Sequence, residues 1–600
     1  MVGKADPNGV DNVHGTSALW AAADRGHAHT VQALVGAKAN VHQACVRGRT
    51  PLFVAAKRGH RDVVQFLLQH GVVVDEAGKY ERTPAWVAAH GGHIDVLTDL
   101  VWAKASLEIP GGTGLMCPSM CRPLWASASR GDVDVVQALV FLKAVIDNSD
   151  ADEVTPLCAA ATNGHPATVK ALAQAKADVD AGDHRNCTPL WRAATGGHVS
   201  VVVALLNANA SVDNADCGDT TPLMSGARHG DVQTVELLLQ AKANVGSCDA
   251  TGRSAVMRAS AGGHVGAVQA LLKAKASVND GDECGFTPLV DAAAGGWVNV
   301  MIILLEASAS VDSENEIGET PLFLACVYGG GVDAILQLLA AKAAVDGVAC
   351  NTNKSPLRGA AQKGDEAVVR ALLDASAVVD GLQTFCCDPS PLWAAVHAGH
   401  FCIVEALLQA KASVDAPDDC DRTPLRMAIE GCNADLALVL LNGKAAVNFF
   451  CVEQYTPLLR AAEIGHHALV SLLLEASADL DWCGGAKELT PLRAAMAFEH
   501  NEVVELLLQA KAAVDLAGAH GRTPLYLAAL FGEASIARQL LRAKANPQHP
   551  GTDGKTPWDA AILGDGREVI EMMAGAVDFL ASCRDDAGEG GVAKRAKNLP

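Results

Sequence analysis

The sequence predicts an all-α solenoid of stacked helical hairpins, and three observations support this. A tripeptide resembling Ser/Thr-Pro-Leu returns seventeen times, and twelve of the sixteen intervals between its first positions are 33 residues. A fixed period of this size is typical of stacked repeats rather than of globular domains. Half of the chain is apolar but only 4% is aromatic, a balance that suits closely packed helices. The first positions, which number the repeats from one to seventeen, are Ser17, Thr50, Thr83, Arg122, Thr155, Thr188, Thr221, Ser254, Thr287, Thr320, Ser355, Ser390, Thr423, Thr456, Thr490, Thr523 and Thr556.

The tripeptide predicts the start of a first helix in each repeat. A Thr hydroxyl at the N-cap can accept a hydrogen bond from an unsatisfied amide, and Pro at the next position has the backbone angle that a helix needs. A Gly nine residues after the cap is expected to end the helix in the left-handed conformation. These positions are Thr50, Pro51, Leu52 and Gly59 in the second repeat, and Thr155, Pro156, Leu157 and Gly164 in the fifth.

A second helix follows the glycine. In the second repeat Val63, Val64, Leu67 and Leu68 fall on one apolar face. Neither helix could bury that face alone, so the core is expected to form between repeats.

These residues resemble the ankyrin repeat, whose pattern is Thr-Pro-Leu-His-x-Ala-Ala followed by Gly-His, Val-Val and Leu-Leu. The resemblance covers residues 10–575. It implies an all-α ankyrin-repeat solenoid with a hairpin finger in each repeat of about 33 residues, arranged as a curved superhelical stack. It also implies a protein-interaction module without catalytic activity of its own.

The sequence departs from the family pattern in two systematic ways. Aromatic residues often replace the family's His, and they are expected either to pack in the core or to act as binding hot spots. Lys usually replaces Gly after the second helix, at an expected strain of about 1 kcal/mol per site that a cation at a helix end partly offsets. The alternative function of these lysines is a ridge that binds an acidic partner. They are Lys38, Lys104, Lys143, Lys176, Lys242, Lys275, Lys342, Lys411, Lys444, Lys511 and Lys544.

One array is expected rather than several domains. Residues 1–9 read as the end of a partial repeat or an arm, residues 10–580 as about seventeen repeats, and residues 581–600 as a disordered tail. The largest irregularity is a Pro/Gly-rich insertion within residues 105–121, interpreted as an enlarged finger loop or as neutral drift in an exposed turn.

Composition excludes several classes of function. The net charge of −21 disfavours nucleic-acid binding, and no apolar run is long enough to cross a membrane. The eighteen cysteines lack zinc spacing and are expected to be free thiols, and the histidines ten residues after the caps are not expected to bind metal. No cofactor, metal or catalytic residue is predicted, because the phosphate-loop, nucleophile and metalloprotease motifs are missing.

The binding surface is expected at the finger tips and the exposed part of the first helices. A basic group in the first four repeats beside a more acidic region later in the chain is expected to orient an acidic or polarised ligand; the alternative is that these are ordinary solvated charges. The acidic residues include Glu430 and Glu463. The basic candidates are Arg25, Arg47, Arg49, Lys57, Arg58, Lys79, Arg82 and Arg130.

The predicted function is an intracellular scaffold or adaptor that binds one or more proteins through its concave groove and its fingers. We expect it to be a monomeric array located in the cytoplasm, with the nucleus as an alternative. The alternative is the ankyrin regulatory region of a larger enzyme, ubiquitin ligase or channel, of which this chain would be a fragment. The partial repeat at residues 3–8 favours the alternative, and the predicted tail disfavours it.

Overall fold

A computed structural model describes residues 6–78, 81–111, 121–347, 355–381, 389–418, 420–449, 455–484, 489–518, 521–551, 554–564 and 566–574. Within these residues every repeat contains a pair of short helices, and the backbone forms only isolated bridges instead of strands. The all-α class and the repeat length are therefore confirmed. The predicted tail at residues 581–600 and most of the insertion lie outside the described residues.

The chain divides into two compact units, residues 1–310 and residues 311–600. In the first unit, the first helices of the repeats carry odd labels and the second helices even labels. They are α1 Ala18–Asp24, α2 Ala28–Gly36, α3 Pro51–Arg58, α4 Arg61–Leu68, α5 Pro84–Gly91, α6 Ile94–Trp102, α7 Pro123–Arg130, α8 Val133–Phe141, α9 Pro156–Thr162, α10 Pro166–Gln174, α11 Pro189–Thr195, α12 Val199–Asn207, α13 Pro222–His229, α14 Val232–Gln240, α15 Ala255–Ala261, α16 Val265–Lys273, α17 Pro288–Ala294 and α18 Val298–Glu306.

The second unit continues the same alternation of first and second helices. They are α19 Pro321–Tyr328, α20 Gly331–Ala340, α21 Pro356–Lys363, α22 Glu366–Asp374, α23 Pro391–Ala398, α24 Phe401–Gln409, α25 Pro424–Glu430, α26 Ala434–Asn442, α27 Pro457–Ile464, α28 His467–Glu475, α29 Pro491–Ala497, α30 Asn501–Gln509, α31 Pro524–Phe531, α32 Ala534–Arg542 and α33 Pro557–Leu563, followed by a last helix, α34, at residues 567–574.

The first helices begin as the tripeptide predicts. The Thr50 hydroxyl accepts a hydrogen bond from the Phe53 amide, and the caps of the other repeats form the same bond with two exceptions. Arg122 has no hydroxyl, and its guanidinium instead donates to the carbonyls of Glu108 and Ser149. Ser254 precedes Ala instead of Pro, and its hydroxyl forms no cap bond. Ser254 therefore occupies the N-cap position without the hydroxyl bond that the other Ser and Thr caps form.

In the first sixteen repeats, a left-handed residue follows the first helix where the sequence predicts it. Gly59 has φ = 76° and Gly164 has φ = 74°. Cys432 and Glu499 occupy the same position in two repeats that lack glycine there, and both also have positive φ. The left-handed turn is thus a property of the repeat that non-glycine residues also adopt, at some cost in strain.

The core lies between consecutive helices, as expected for a solenoid. Leu52 is 1% exposed, and Ala55, Ala56, Val64 and Leu67 are fully buried. Within each unit, first helices pack on first helices of adjacent repeats, and second helices on second helices. The small Ala side chains of the first helices allow this close approach.

A cross-repeat hydrogen bond joins the loops behind the second helices within each unit. The Asp180 carboxylate accepts from the Ser211 amide at 2.8 Å, and Asp213 does the same for Asn244 at 2.9 Å. Gly246 occupies this position in the seventh repeat and has no side chain to form the bond. The residues that accept this bond are Asn8, Asp75, Glu108, Asp147, Asp180, Asp213, Asn279, Asp312, Asp346, Asp380, Asp415, Asn448, Asp481 and Asp515.

Candidate partner-binding surface

The finger turns hold basic residues at defined places beside the first helices. The Cys45 amide donates to the Arg49 carbonyl at 3.1 Å, and Gly48 turns the chain between them with φ = 67°. Arg47 lies in this turn and is exposed. Arg49 ends the finger immediately before the Thr50 cap, so its side chain leaves the backbone beside the first helix.

Two of the arginines lie over aromatic rings. The Arg49 guanidinium carbon is 5.9 Å from the centre of the Phe53 ring, and that of Arg82 is 4.2 Å from the centre of the Trp86 ring. A cation over an aromatic face is held by the quadrupole of the ring, which limits its motion without neutralising it. In the described residues, Arg82 forms no ion pair and its Nε lacks a hydrogen-bond partner. Both arginines therefore present positive charge from fixed positions.

Lys57 lies in the same electrostatic environment. Burial lowers the pKa of its ammonium group, and the nearby charges of Arg49 and Arg58 lower it further. Arg82 acts in the same direction, while Asp24 opposes them. Lys57 is thus close enough to Arg49, Arg58 and Arg82 for the like charges to repel one another.

Two candidates carry charges that are already paired. Arg58 Nε donates to the Asp24 carboxylate at 3.1 Å, and the Arg130 guanidinium contacts Asp132 and the His90 carbonyl. The expectation that these two arginines offer free charge needs this correction, because each has an acidic partner from its own or the preceding repeat. Arg25 is exposed, and Lys79 lies outside the described residues.

His90 responds to the same group of charges. Burial lowers its pKa to about 4, and Arg130 and Arg82 contribute to the decrease. Its ring stacks on Trp86 with the ring centres 4.9 Å apart. His90 is therefore uncharged at neutral pH and adds an aromatic face instead of another cation.

The later region that the sequence marks as acidic contains paired charges. Glu430 accepts from Arg426 at 3.0 Å, and Glu463 accepts from Arg460 at 2.6 Å. Arg460 also approaches Glu430 at 3.6 Å. These carboxylates therefore belong to a network of mixed charge, because arginines of the first helices α25 and α27 neutralise them.

The aromatic residues three positions after the caps are structural. Trp86 is 1% exposed, and its indole N–H donates to the Cys121 carbonyl at 3.0 Å. Trp20, Trp125, Trp191 and Trp393 donate in the same way to the residue before the next cap. Each indole thus joins a first helix to the following finger, which favours packing over a hot-spot role.

The histidines ten residues after the caps also join repeats. His60 Nε2 lies 3.0 Å from the Asp24 carbonyl, and His93 Nε2 lies 3.1 Å from the Lys57 carbonyl. His500 makes the same contact with the Glu463 carbonyl at 3.1 Å and also lies ten residues after its cap, Thr490. In the part of the chain that the structure describes, no group of His, Cys, Asp and Glu could hold a metal ion.

A comparison with protein-family models agrees with this repeat pattern. The family model described as ankyrin repeats (3 copies) matches nine overlapping segments that together cover residues 18–315 and 357–579. The chain belongs to the ankyrin repeat family. A solved structure, the human ASB11 ankyrin repeat domain, is similar at 24% identity and a TM-score of 0.34, over 37% of this chain and 98% of that one. A search of curated proteins finds no match.

The ankyrin array contains free thiols in both units. Cys158, Cys187 and Cys326 are buried, whereas Cys217 and Cys284 are exposed. Burial raises the pKa of Cys158 to about 12 and that of Cys187 to about 11. These buried thiols are core residues and poor nucleophiles. No helix in the described ranges is both long and apolar enough to cross a membrane.

The lysines after the second helices adopt the conformation that the ankyrin pattern assigns to glycine. All eleven have φ between 63° and 69° and are exposed. Gly71, Asn209, Ser308, Ser376 and Ser477 fill the same position in other repeats, with φ of 59° to 72°. The predicted left-handed lysines are therefore confirmed, and no ion pair or side-chain hydrogen bond engages them among the described residues.

Proposed function

We propose that this ankyrin array is an intracellular scaffold or adaptor that binds acidic segments of partner proteins through the basic surface of its first repeats. The basic surface is defined as Arg47, Arg49, Lys57 and Arg82. The observation that carries the proposal is the placement of Arg49 and Arg82 over aromatic rings, from which both act to lower the pKa of Lys57. A protein with a net charge of −21 that gathers unpaired cations in one place has a surface suited to an anionic ligand.

The geometry supports recognition by carboxylates. Phe53 and Trp86 restrict the two arginines, so less side-chain entropy is lost when a ligand binds. Arginine presents paired donors that match a carboxylate in two parallel bonds. The proposal therefore assigns Arg49 and Arg82 to direct contact and Arg47 and Lys57 to electrostatic attraction.

The same proposal places the protein in the cytoplasm or the nucleus, as a monomer that binds without catalysing a reaction. Its support is the set of free thiols, since a reducing compartment preserves them. The family supplies the general role, because ankyrin repeats are protein-interaction modules.

A charge-reversal experiment tests the proposal. Arg47, Arg49 and Lys57 are replaced by Glu in the full chain, and Arg58 is kept so that its pair with Asp24 survives. Binding of a fluorescein-labelled twelve-residue peptide, rich in Glu and Asp, is measured by anisotropy. We expect the dissociation constant to rise about tenfold or more, which corresponds to about 1.4 kcal/mol.

The matched control reverses three exposed lysines outside the basic surface, Lys242, Lys273 and Lys275. It changes the net charge by the same amount, so a general effect of charge would weaken binding equally in both variants. Equal weakening, or no change in the first variant, would contradict the proposal. Affinity purification from cells with the two variants then identifies partners that depend on the basic surface.

A further inference from the structure

Two exposed aromatic residues stand out when the second helices are compared at one position, two residues before the left-handed lysine or its equivalent. Trp102 ends α6 and Phe141 ends α8, and their exposed fractions are 81% and 84%. At this register the other described repeats have small, polar or charged residues. These are Gly36, Gln69, Gln174, Asn207, Gln240, Lys273, Glu306, Ala340, Asp374, Gln409, Asn442, Glu475, Gln509 and Arg542.

The two aromatic residues occur in adjacent repeats and therefore form one patch. Helices α6 and α8 pack against each other, and packed helices lie about 8–10 Å apart. A Trp or Phe side chain can bury roughly 150–250 Å² on binding, so two neighbouring rings supply an apolar anchor of useful size. Neither ring contributes to the core, since both are more than four-fifths exposed.

A lysine follows each aromatic residue by two positions. Lys104 and Lys143 are exposed, with φ of 67° and 63°, and the described residues provide neither with an ion pair. This combination of two rings and two free cations occurs once among the described repeats. Its chemical complement is a segment with apolar side chains on one face and carboxylates beside them.

We propose that Trp102, Phe141, Lys104 and Lys143 form a second docking surface, which binds an acidic amphipathic segment of a partner protein. It lies at the ends of the second helices, whereas the basic surface lies on the fingers and first helices. Asp95 and Asp134 are exposed on the same two helices. Asp95 lies 3.8 Å from Arg61, whereas Asp134 has no ion pair among the described residues and would repel an anionic membrane or a nucleic acid that approached α8. A short protein segment can contact the helix ends without covering those carboxylates.

The test uses the full chain and a defined probe. The probe is a fluorescein-labelled peptide of fourteen residues. Its leucines are spaced alternately three and four residues apart, which places them on one helical face, and the other residues are Glu. A second peptide replaces Leu by Ser, and a third replaces Glu by Lys. We expect the first peptide to bind at least about tenfold more tightly than either control, because both anchors and charges contribute.

The main variant is Trp102→Gln with Phe141→Gln. Gln is the natural residue at this register in the second, fifth and seventh repeats, so the fold is retained. The dissociation constant is expected to rise about tenfold or more, as for removal of hot-spot residues. The variant Lys104→Ser with Lys143→Ser uses the residue found at the same left-handed position in other repeats. It should raise the dissociation constant a few-fold, and by less as the salt concentration increases.

Matched variants in the other unit provide the control. Gln409→Ala with Asn442→Ala, and Lys411→Ser with Lys444→Ser, change the same registers of the twelfth and thirteenth repeats and should leave binding unchanged. Reversal of Arg47, Arg49 and Lys57 to Glu should also leave it within about twofold, so the two proposed surfaces can fail independently.

Three results would overturn this inference. The first is equal binding of the probe by the Gln variant and the unmodified chain. The second is co-sedimentation with phosphatidylserine vesicles that the Gln variant loses, because the occupant would then be a membrane. The third is concentration-dependent dimerisation in sedimentation velocity that the Gln variant abolishes, because the occupant would then be a second copy of the chain.

Discussion

The third and the twelfth repeats contain the same aromatic pair in different electrostatic surroundings. Trp86 stacks on His90 with ring centres 4.9 Å apart, and Trp393 stacks on His397 with ring centres 5.0 Å apart. Each tryptophan is the third residue after its cap, and each indole donates to the residue before the next cap. The repeat thus builds one scaffold twice, once in each unit.

The arginine beside each tryptophan makes the difference. Arg82 precedes the cap of its own repeat, lies 4.2 Å from the Trp86 ring centre and has no carboxylate partner in the described residues. Arg422 belongs to the following finger and lies 5.9 Å from the Trp393 ring centre. It is paired with Asp418 at 2.7 Å. The charge is therefore available beside Trp86 and neutralised beside Trp393.

This contrast shows that the repeat framework and the surface charge are specified by different residues. The cap, the buried aromatic and the left-handed turn recur because every repeat must pack on its neighbours. Pairing of surface arginines depends on single residues in adjacent fingers, which the packing does not constrain. The function of such an array is therefore expected to depend on the surface residues and not on the recurring framework residues.

Truncation of the tryptophans gives the largest expected effect. Trp86→Ala should lower the free energy of local unfolding by about 3–5 kcal/mol, because it opens a cavity and removes a buried indole bond. Trp393→Ala should cost less, since Trp393 is 9% exposed and Trp86 1%. Hydrogen exchange of the amides in α5 and α23 measures both. A larger loss for Trp393→Ala would show that burial does not rank the two sites.

Removal of Asp418 tests how much the paired charge beside Trp393 contributes to stability. Its carboxylate is 1% exposed and accepts from the Arg422 amide at 2.8 Å, the Cys420 amide at 3.0 Å and the Arg422 guanidinium. Asp418→Ala should cost about 1–3 kcal/mol, because buried donors lose their acceptor. Asp418→Asn keeps one acceptor oxygen and should cost less. Urea unfolding of the two variants compares them, and equal losses would mean that the ion pair, not the amide bonds, carries the stabilisation.

The sequence predicted the parts of this fold that depend on local chemistry. The Thr50 cap, the left-handed Gly59 and the left-handed Lys38 all follow from a recurring position and a backbone requirement. Ser254 lacks the cap bond, whereas Ser17, which also precedes Ala, accepts a bond from the Trp20 amide, so the sequence did not indicate this exception.

The candidate sites were less predictable because they depend on contacts between repeats. Arg58 pairs with Asp24 across 34 residues of sequence, and the choice of partner depends on side-chain geometry. The recurring Val-Asp pair in the sequence marks Asp180 and its equivalents as repeat positions. The spacing alone does not show which backbone amide donates to each carboxylate. Trp102 and Phe141 stand out only when the repeats are compared position by position.

The pKa of His90 gives a smaller, pH-dependent effect in the third repeat. An unfolded histidine titrates near 6.5, whereas the pKa of His90 in the folded protein is about 4. Between these values the unfolded state binds more protons, so stability contributed by this site falls as pH decreases from about 6.5 to 4. Arg130→Gln removes the largest like charge and should raise the pKa of His90. NMR titration of the imidazole protons tests both statements, and an unchanged midpoint would show that Arg130 does not contribute to the shift.

The smallest expected effect concerns the left-handed lysines, of which Lys104 belongs to the third repeat and Lys411 to the twelfth. Both have φ = 67°, so Lys→Gly should relieve about 1 kcal/mol of strain at each. The substitution also removes the charge at a helix end, worth about 0.3–1 kcal/mol, and makes the unfolded chain more flexible by a similar amount. We therefore expect net changes within about 0.5 kcal/mol in thermal unfolding, equal at the two sites because the backbone is the same. If Lys104→Gly also weakens binding of the acidic amphipathic peptide while Lys411→Gly does not, the lysine beside Trp102 has a binding role separate from its conformational one. Equal peptide binding by the two variants would assign both lysines to the backbone alone.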